Sequence, residues 1–123
     1  MTVRSLLFSI CVLVATAACG QASPVKDDNA AAERAAAITS QYHLTQIKTK
    51  CLFFDTADEG KDWLVRVREN HSKECGGFPG SEPTIFYLKI RKSDGHATTN
   101  AYSYQGQFEE LRPVHAHSSS SAR

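Results

Sequence analysis

His71 and Cys75 are the two residues whose types and spacing come closest to a catalytic pair. A cysteine beside a histidine can act as a thiol nucleophile with a general base, and Glu69 and Glu74 are close in sequence. The same carboxylates oppose the depressed pKa that a catalytic thiol needs, because nearby negative charge disfavours the thiolate. We therefore assign no catalytic residue, and a small hydrolase using His71 beside the following glycine-rich loop is kept as the alternative function.

A second set of histidines has the spacing of a metal site. His115 and His117 form an HxH pair that, together with His96 or His43, has the ligand types of a zinc or copper site. Side chains two residues apart share a face only in an extended segment, and nothing in HAHSSSSAR holds the chain extended. The sequence therefore predicts no metal or other cofactor, and a disordered tail over residues 115–123.

The first 18 residues have the three-part layout of a secretory signal. One positive charge at Arg4 precedes the apolar run LLFSICVLV, and small residues follow it up to Cys19. The apolar run is too short for a membrane-spanning helix, which needs about 20 such residues. We expect residues 1–18 to be a signal peptide and the mature chain to be exported.

The stretch Thr16-Ala17-Ala18-Cys19 resembles the lipobox of bacterial lipoproteins, in which the cysteine is acylated and becomes the new N-terminus. That family usually has an aliphatic residue where this chain has Thr16. The resemblance implies that Cys19 carries the lipid. Because Gly20 follows it instead of Asp, the family pattern implies an outer-membrane lipoprotein facing the periplasm. Ordinary cleavage after Ala17 stays open, and it would give a soluble periplasmic or secreted protein.

The remaining cysteines are expected to form one disulfide. Cys11 leaves with the signal, and acylation of Cys19 leaves Cys51 and Cys75 as a single pair in an oxidising compartment. A catalytic or metal-binding role is the alternative, but no CxxC spacing is present.

Charge limits the class of partner. The precursor has 14 basic and 13 acidic side chains, so loss of Arg4 with the signal leaves 13 of each. A balanced chain lacks the concentrated basic excess of a nucleic-acid-binding protein. We expect the membrane, through the lipid anchor, and a protein or cell-wall partner, and no nucleic acid.

The mature chain begins with a tether and a helix. Residues 19–28 are polar, contain Pro24, and are expected to hold a domain of residues 29–114 away from the membrane. Asp28 or Asn29 is the expected cap of a helix that begins near Ala30 and runs to Gln41 or Tyr42. Its buried stripe is expected to contain four side chains at helical spacing, Ala31, Ala35, Ile38 and Tyr42.

Two β-hairpins are expected after the helix. In the first, residues 47–56 and 62–70 flank a turn with Gly60 in the left-handed conformation. Placing Ala57 opposite Lys61 pairs Phe53 with Val65 and Cys51 with Val67, with Trp63 on the same side. The opposite side then carries Lys48, Lys50, Arg66 and Arg68.

The second hairpin joins residues 84–90 to about 97–104 through Asp94-Gly95. Placing Ser93 opposite His96 pairs Leu88 with Ala101, Phe86 with Ser103 and Ile85 with Tyr104, and it puts Tyr87 opposite Tyr102. Phe86, Leu88 and Ile90 then form the core face. Residues 107–114 are expected to add a short closing segment, and residues 75–83, CGGFPGSEP, to form a tight loop without the spacing of a phosphate-binding loop.

These elements predict an α+β fold, with one N-terminal helix packed on a four-stranded antiparallel sheet of two hairpins and one disulfide. The element order resembles small cystatin-like and PepSY-like periplasmic domains. The uncovered sheet face is the candidate binding surface, because aromatic side chains and long cations are enriched at interfaces. Its residues are Tyr87, Tyr102, Tyr104, Lys48, Lys50, Arg66 and Arg68. We expect a non-enzymatic binding module, such as an inhibitor, an immunity protein or a protein that binds an envelope component.

Overall fold

The computed structural model describes residues 23–114, which form an α+β domain. Helix α1 spans Asp28–Gln41, and the five strands are β1 (Leu52–Asp58), β2 (Asp62–Glu69), β3 (Thr84–Arg91), β4 (Ala97–Thr99) and β5 (Glu109–Glu110). All neighbouring strands are antiparallel, and their spatial order β1-β2-β3-β4-β5 follows the chain. The expected fold class and disulfide are confirmed, but the sheet has five strands where four were expected.

Both ends of α1 are fixed by specific hydrogen bonds. Asp27, one residue before the expected caps, accepts a bond from the Ala30 backbone N–H at 2.7 Å. At the other end His43 takes the left-handed conformation, with φ of 49°. The backbone N–H groups of His43 and Leu44 then bond the carbonyls of Ser40 and Thr39, the pattern of a Schellman motif. The helix therefore ends at Gln41, within the predicted range.

The predicted stripe of α1 packs on one face of the sheet, which we call the covered face. Ala31, Ala35 and Ile38 are buried there, and Tyr42 packs against the same cluster. The sheet contributes the fully buried Val65, Val67, Leu88 and Ile90, together with Phe86, Leu52 and Ala97. The prediction that Phe86, Leu88 and Ile90 form the core face is therefore confirmed.

The segment before the helix also packs on this core. Val25 is buried, its N–H donates to the Lys92 carbonyl at 2.8 Å, and its own carbonyl accepts from the Trp63 indole at 3.1 Å. The packed part of the chain therefore begins inside the segment expected as a tether. The expected signal, the lipid site at Cys19 and the tail from His115 lie outside the described residues.

The predicted register of the first hairpin is wrong by three residues. Gly60 and Lys61 form the turn, so Ala57 lies opposite Leu64 and Phe53 lies opposite Arg68. Gly60 does take the expected left-handed conformation, with φ of 83°. An odd shift reverses the faces of β1, so Phe53 lies on the uncovered side, while Cys51 falls in a single 3-10 turn before the strand. The turn is held by contacts from the other hairpin: Lys92 pairs with Asp58, and its N–H bonds the Lys61 carbonyl at 2.9 Å.

The second hairpin differs from the prediction in register and length. Leu88 lies opposite Thr99 instead of Ala101, a shift of two that leaves the faces unchanged. The Asp94 carboxylate accepts from the His96 N–H, and the Gly95 N–H bonds the Arg91 carbonyl, which lengthens the loop. β4 then ends at Thr99, so Tyr102, Ser103 and Tyr104 have no cross-strand partner. The expected closing segment is present as β5.

Candidate binding surface

The sheet side opposite α1, which we call the outer face, holds two of the predicted arginines beside an acidic partner. Arg66 and Arg68 lie on this side of β2, and both bond the carboxylate of Asp55 on β1, at 3.2 Å for Arg66. The hydrogen bond from Arg68, followed by that from Arg66, lowers the pKa of Asp55. Arg68 also pairs with Glu82. Its guanidinium lies 5.2 Å from the centre of the Phe53 ring. The two arginines of the predicted basic stripe are therefore neutralised by Asp55 and Glu82.

The outer face also has a shallow cleft lined by aromatic, aliphatic and polar side chains, which we call the aromatic cleft. It has a volume of about 260 Å³ and is lined by Leu64, Tyr87, Lys89, Phe108, Asn100 and Glu59. The Lys89 ammonium lies 4.9 Å from the centre of the Phe108 ring. Asn100 accepts from the Tyr87 N–H at 2.7 Å, which ends the β3–β4 pairing beside the cleft. Tyr87 is half-buried, and it lies opposite Arg66 in the sheet.

The structure does not bring the other predicted surface residues into this cleft. Lys48 and Lys50 are exposed, but they lie in the connection before β1, where strand alternation does not apply. The Tyr102 hydroxyl accepts from the Arg112 N–H at 3.1 Å, and the Arg112 guanidinium covers its ring at 4.3 Å. Tyr104 is fully exposed in a turn. Phe108 and Leu64 line the cleft instead, and the sequence analysis did not predict either of them. Strand alternation with the buried Val65 could have placed Leu64 on the outer face.

His71 and Cys75, the candidate catalytic pair, both make contacts that stabilise the fold. Cys75 is bonded to Cys51, as predicted, so it carries no thiolate. The His71 ring faces two acceptors: Nδ1 is 3.0 Å from the Phe78 carbonyl, and Nε2 bonds the Glu69 carboxylate. Both nitrogens donate only in the imidazolium, so first Glu69 and then the Phe78 carbonyl raise the pKa of His71. This arrangement favours the imidazolium, which has no lone pair for use as a general base.

The loop of residues 75–83, which we call the disulfide loop, surrounds this histidine. A cleft of about 200 Å³ is lined by Ile47, Cys51, Glu69, His71, Cys75 and the neighbouring Asn70, Gly76 and Gly77. A Cβ atom on Gly77 would lie 2.4 Å from the His71 ring, so the loop backbone packs directly on the imidazole. The site can hold the loop in one shape, and the disulfide removes the Cys75 thiol as a nucleophile.

A third depression lies between the C-terminal half of α1 and the β4–β5 edge. It has a volume of about 460 Å³, and its polar side chains are of both signs, with Arg34 on one side and Asp94 and Glu110 on the other. The His96 N–H lowers the pKa of Asp94, and the His96 ring pairs with Glu110 at 3.0 Å.

The described part of the chain has neither a cluster of metal ligands nor a membrane-spanning helix. Within residues 23–114, no three His, Cys, Asp or Glu side chains are grouped in a way that would hold a metal ion. The HxH pair at His115 and His117 lies outside that range. The same residues contain no helix of sufficient length and apolarity to cross a bilayer.

Comparison with known proteins gave no match: no protein-family model, curated protein or solved structure is significantly similar to this chain.

Proposed function

We propose that this protein is an exported bacterial envelope lipoprotein, anchored in the outer membrane through Cys19, that works as a non-enzymatic binding module. The observation that carries the binding role is the aromatic cleft on the outer face. An apolar cleft with Tyr87 and Phe108, rimmed by a few polar groups, has the composition of a protein interaction site. The partner is a protein, as it would be for an inhibitor or an immunity protein, or a component of the envelope.

The arrangement of His71 supports a binding role over the alternative hydrolase. Hydrolysis at the disulfide loop requires a base, and both His71 nitrogens already face acceptors within the domain. Its ring is also covered, with 12% of the side chain exposed. The chemistry of this site therefore stabilises the loop and does not favour turnover of a substrate.

The membrane anchor is tested by the mass of the mature protein. We expect the membrane fraction to contain a chain that begins at Cys19 and carries an acyl mass increment. Cys19→Ala should release soluble protein or leave the unprocessed precursor. A chain that begins at Ala18 without an acyl group would show ordinary secretion instead and would remove the lipoprotein part of the proposal.

The binding role is tested by photo-crosslinking from the aromatic cleft. p-Benzoylphenylalanine replaces Phe108, which is 38% exposed, and in a control chain it replaces the exposed Ala37 on α1. Irradiation in an envelope preparation of the source bacterium should give one discrete adduct from position 108 and none from position 37. Adding Tyr87→Ala to the position-108 chain should lower the yield of adduct, because the variant loses roughly 1–3 kcal/mol of binding free energy. Thermal melts should show that its domain is folded. Equal adducts from both positions would remove the cleft as the binding site.

A further inference from the structure

Phe78, in the disulfide loop, is the most exposed phenylalanine of the described chain, with 82% of its surface accessible. A single exposed apolar side chain is common on soluble proteins and does not by itself indicate a site. The backbone that carries Phe78 is, however, held from several directions. An uncovered ring on a constrained backbone is therefore what distinguishes Phe78 from an ordinary exposed side chain.

The tip of the loop is a tight turn. The Ser81 N–H donates to the Phe78 carbonyl at 3.2 Å, with Pro79 second in the turn and Gly80 third at φ of 80°. Proline followed by a glycine of positive φ is the pattern of a type II turn. The same Phe78 carbonyl accepts from His71 Nδ1 at 3.0 Å. The peptide group that follows Phe78 is therefore fixed by two donors.

Both ends of the loop are tied to the sheet. Cys75 is bonded to Cys51 immediately before β1, and the Gly76 N–H donates to the Ser72 carbonyl at 3.0 Å. On the returning side, the Pro83 carbonyl accepts from the Glu69 N–H at 3.0 Å, and Glu82 pairs with Arg68. None of these contacts involves the Phe78 side chain. They fix its position and leave its ring uncovered.

The residues around Phe78 leave its ring without a bulky neighbour in sequence. Gly76, Gly77 and Gly80 have no side chain, and Pro79 is compact. Gly77 cannot be replaced without displacing the His71 ring, whereas a Cβ on Gly76 would meet nothing within 4 Å. The loop therefore presents a single aromatic ring on a narrow tip.

From this geometry we infer that Phe78 is an anchor residue that inserts into an apolar pocket of a partner protein. The inference rests on the proposed binding function and names the kind of partner and the residue that engages it. A narrow tip with one ring is complementary to a concave pocket. Aromatic anchors that fill such pockets supply much of the affinity of protein interfaces. Because the backbone is already ordered, binding loses little further conformational entropy.

The charge of the loop favours a protein pocket over a lipid surface. Glu82, the one charged residue of the loop, is paired with Arg68, and Lys73 and Glu74 just before the loop balance each other in charge. The loop therefore has no excess of cations to attract anionic headgroups, and one phenylalanine without basic neighbours buries little apolar area in a bilayer. A second copy of this chain would also present an apolar cleft, and the experiment below distinguishes it from a different protein.

The test is photo-crosslinking from position 78 with competition. The full chain carrying p-benzoylphenylalanine in place of Phe78 is irradiated in an envelope preparation of the source bacterium, together with increasing amounts of unlabelled chain. We expect an adduct with a different protein. Unlabelled wild-type chain should suppress it, whereas Phe78→Ser should need at least a tenfold higher concentration. Thermal melts should show that Phe78→Ser is folded, because the ring makes little contact with the domain.

A second pair of competitors tests the constrained backbone with Phe78 intact. Gly77→Ala should compete more weakly than Gly76→Ala, because only the former displaces His71 and with it the loop tip. The inference is overturned by an adduct with lipid, an adduct of two copies of this chain, no adduct, or equal competition by wild type and Phe78→Ser. Adducts from position 108 without adducts from position 78 would leave the proposed function standing, whereas the absence of both would remove the two together.

Discussion

The covered face of the sheet and the disulfide loop are stabilised by different means. The covered face is formed by apolar side chains, of which Val65, Val67, Leu88 and Ile90 are fully buried. The loop has almost no buried side chains, and a disulfide, one histidine and a type II turn hold it. Many apolar contacts share in stabilising the covered face, whereas the loop depends on a few contacts that no other contact can replace. The shape of the loop is therefore sensitive to single changes that leave the core unaltered.

The two largest expected effects are close in size, and the first is on the covered face. Leu88→Ala removes a fully buried side chain in the central strand and should lower the free energy of unfolding by about 3 kcal/mol through lost burial and a cavity. Urea unfolding followed by tryptophan fluorescence measures it. The matched control is Lys89→Ala, its neighbour on the outer face, for which we expect a much smaller loss. Similar losses for the two variants would contradict the assignment of the faces.

The next effect is removal of the disulfide, which links the loop to the start of β1. The bond joins residues 24 apart in sequence, and the chain-entropy estimate for such a closed loop is roughly 3.5 kcal/mol. The double variant Cys51→Ala with Cys75→Ala should lose about that free energy of unfolding, yet keep the far-ultraviolet circular dichroism of the folded sheet. Reduced wild-type protein serves as the control. An unchanged unfolding midpoint in both would show that the bond does not constrain the unfolded chain.

The covered face and the disulfide loop also differ in how far their structure could be predicted. Helical spacing and strand alternation each follow from local pattern, so the stripe on α1 and the inward side of β3 were predicted correctly. The register of β1 was not, because it depends on Lys92, which belongs to the other hairpin and bonds both Asp58 and Lys61. β4 is short because the Asn100 side chain accepts from the Tyr87 N–H, a side-chain contact that strand alternation does not predict.

The candidate site was predictable to a similar extent. Pairing of Cys51 with Cys75 follows from cysteine counting, and the outward position of Arg66, Arg68 and Tyr87 follows from alternation. Tyr104 was misplaced because the predicted strand continued past Thr99. The role of His71 could not be read from its neighbours in sequence, because its partner, the Phe78 carbonyl, is a backbone group seven residues away.

A smaller effect separates the two glycines next to Cys75. Both have positive φ, so Gly76→Ala and Gly77→Ala each incur the left-handed cost of roughly 1–2 kcal/mol. Only Gly77→Ala also forces the His71 ring to move. We expect Gly77→Ala to be the less stable of the two and to change the NMR resonances of His71, while those of Leu88 on the covered face stay as in wild type. Unaltered His71 resonances in Gly77→Ala would show that the loop does not pack on the ring.

The smallest expected effect is a pH dependence confined to the loop. The folded domain raises the pKa of His71 above its usual value near 6.5, first through Glu69 and then through the Phe78 carbonyl, with Glu82 adding a weaker attraction. A raised pKa means that the native state binds the proton more tightly than the unfolded chain does. The stabilisation is therefore complete below about pH 6.5, and it is lost as the pH rises through the folded pKa of His71.

The melting temperature of wild-type protein should accordingly fall more between pH 6 and pH 9 than that of His71→Gln. The glutamine retains a donor for one acceptor but does not titrate in that range. NMR titration of the His71 ring should give a pKa above the usual value near 6.5. Amide exchange in residues 76–81 should increase with deprotonation, after correction for the intrinsic effect of pH, while exchange in β2 and β3 stays slow. Parallel pH dependences in wild type and His71→Gln would mean that the imidazolium does not hold the loop, and the disulfide and the Phe78–Ser81 turn would then be its main constraints.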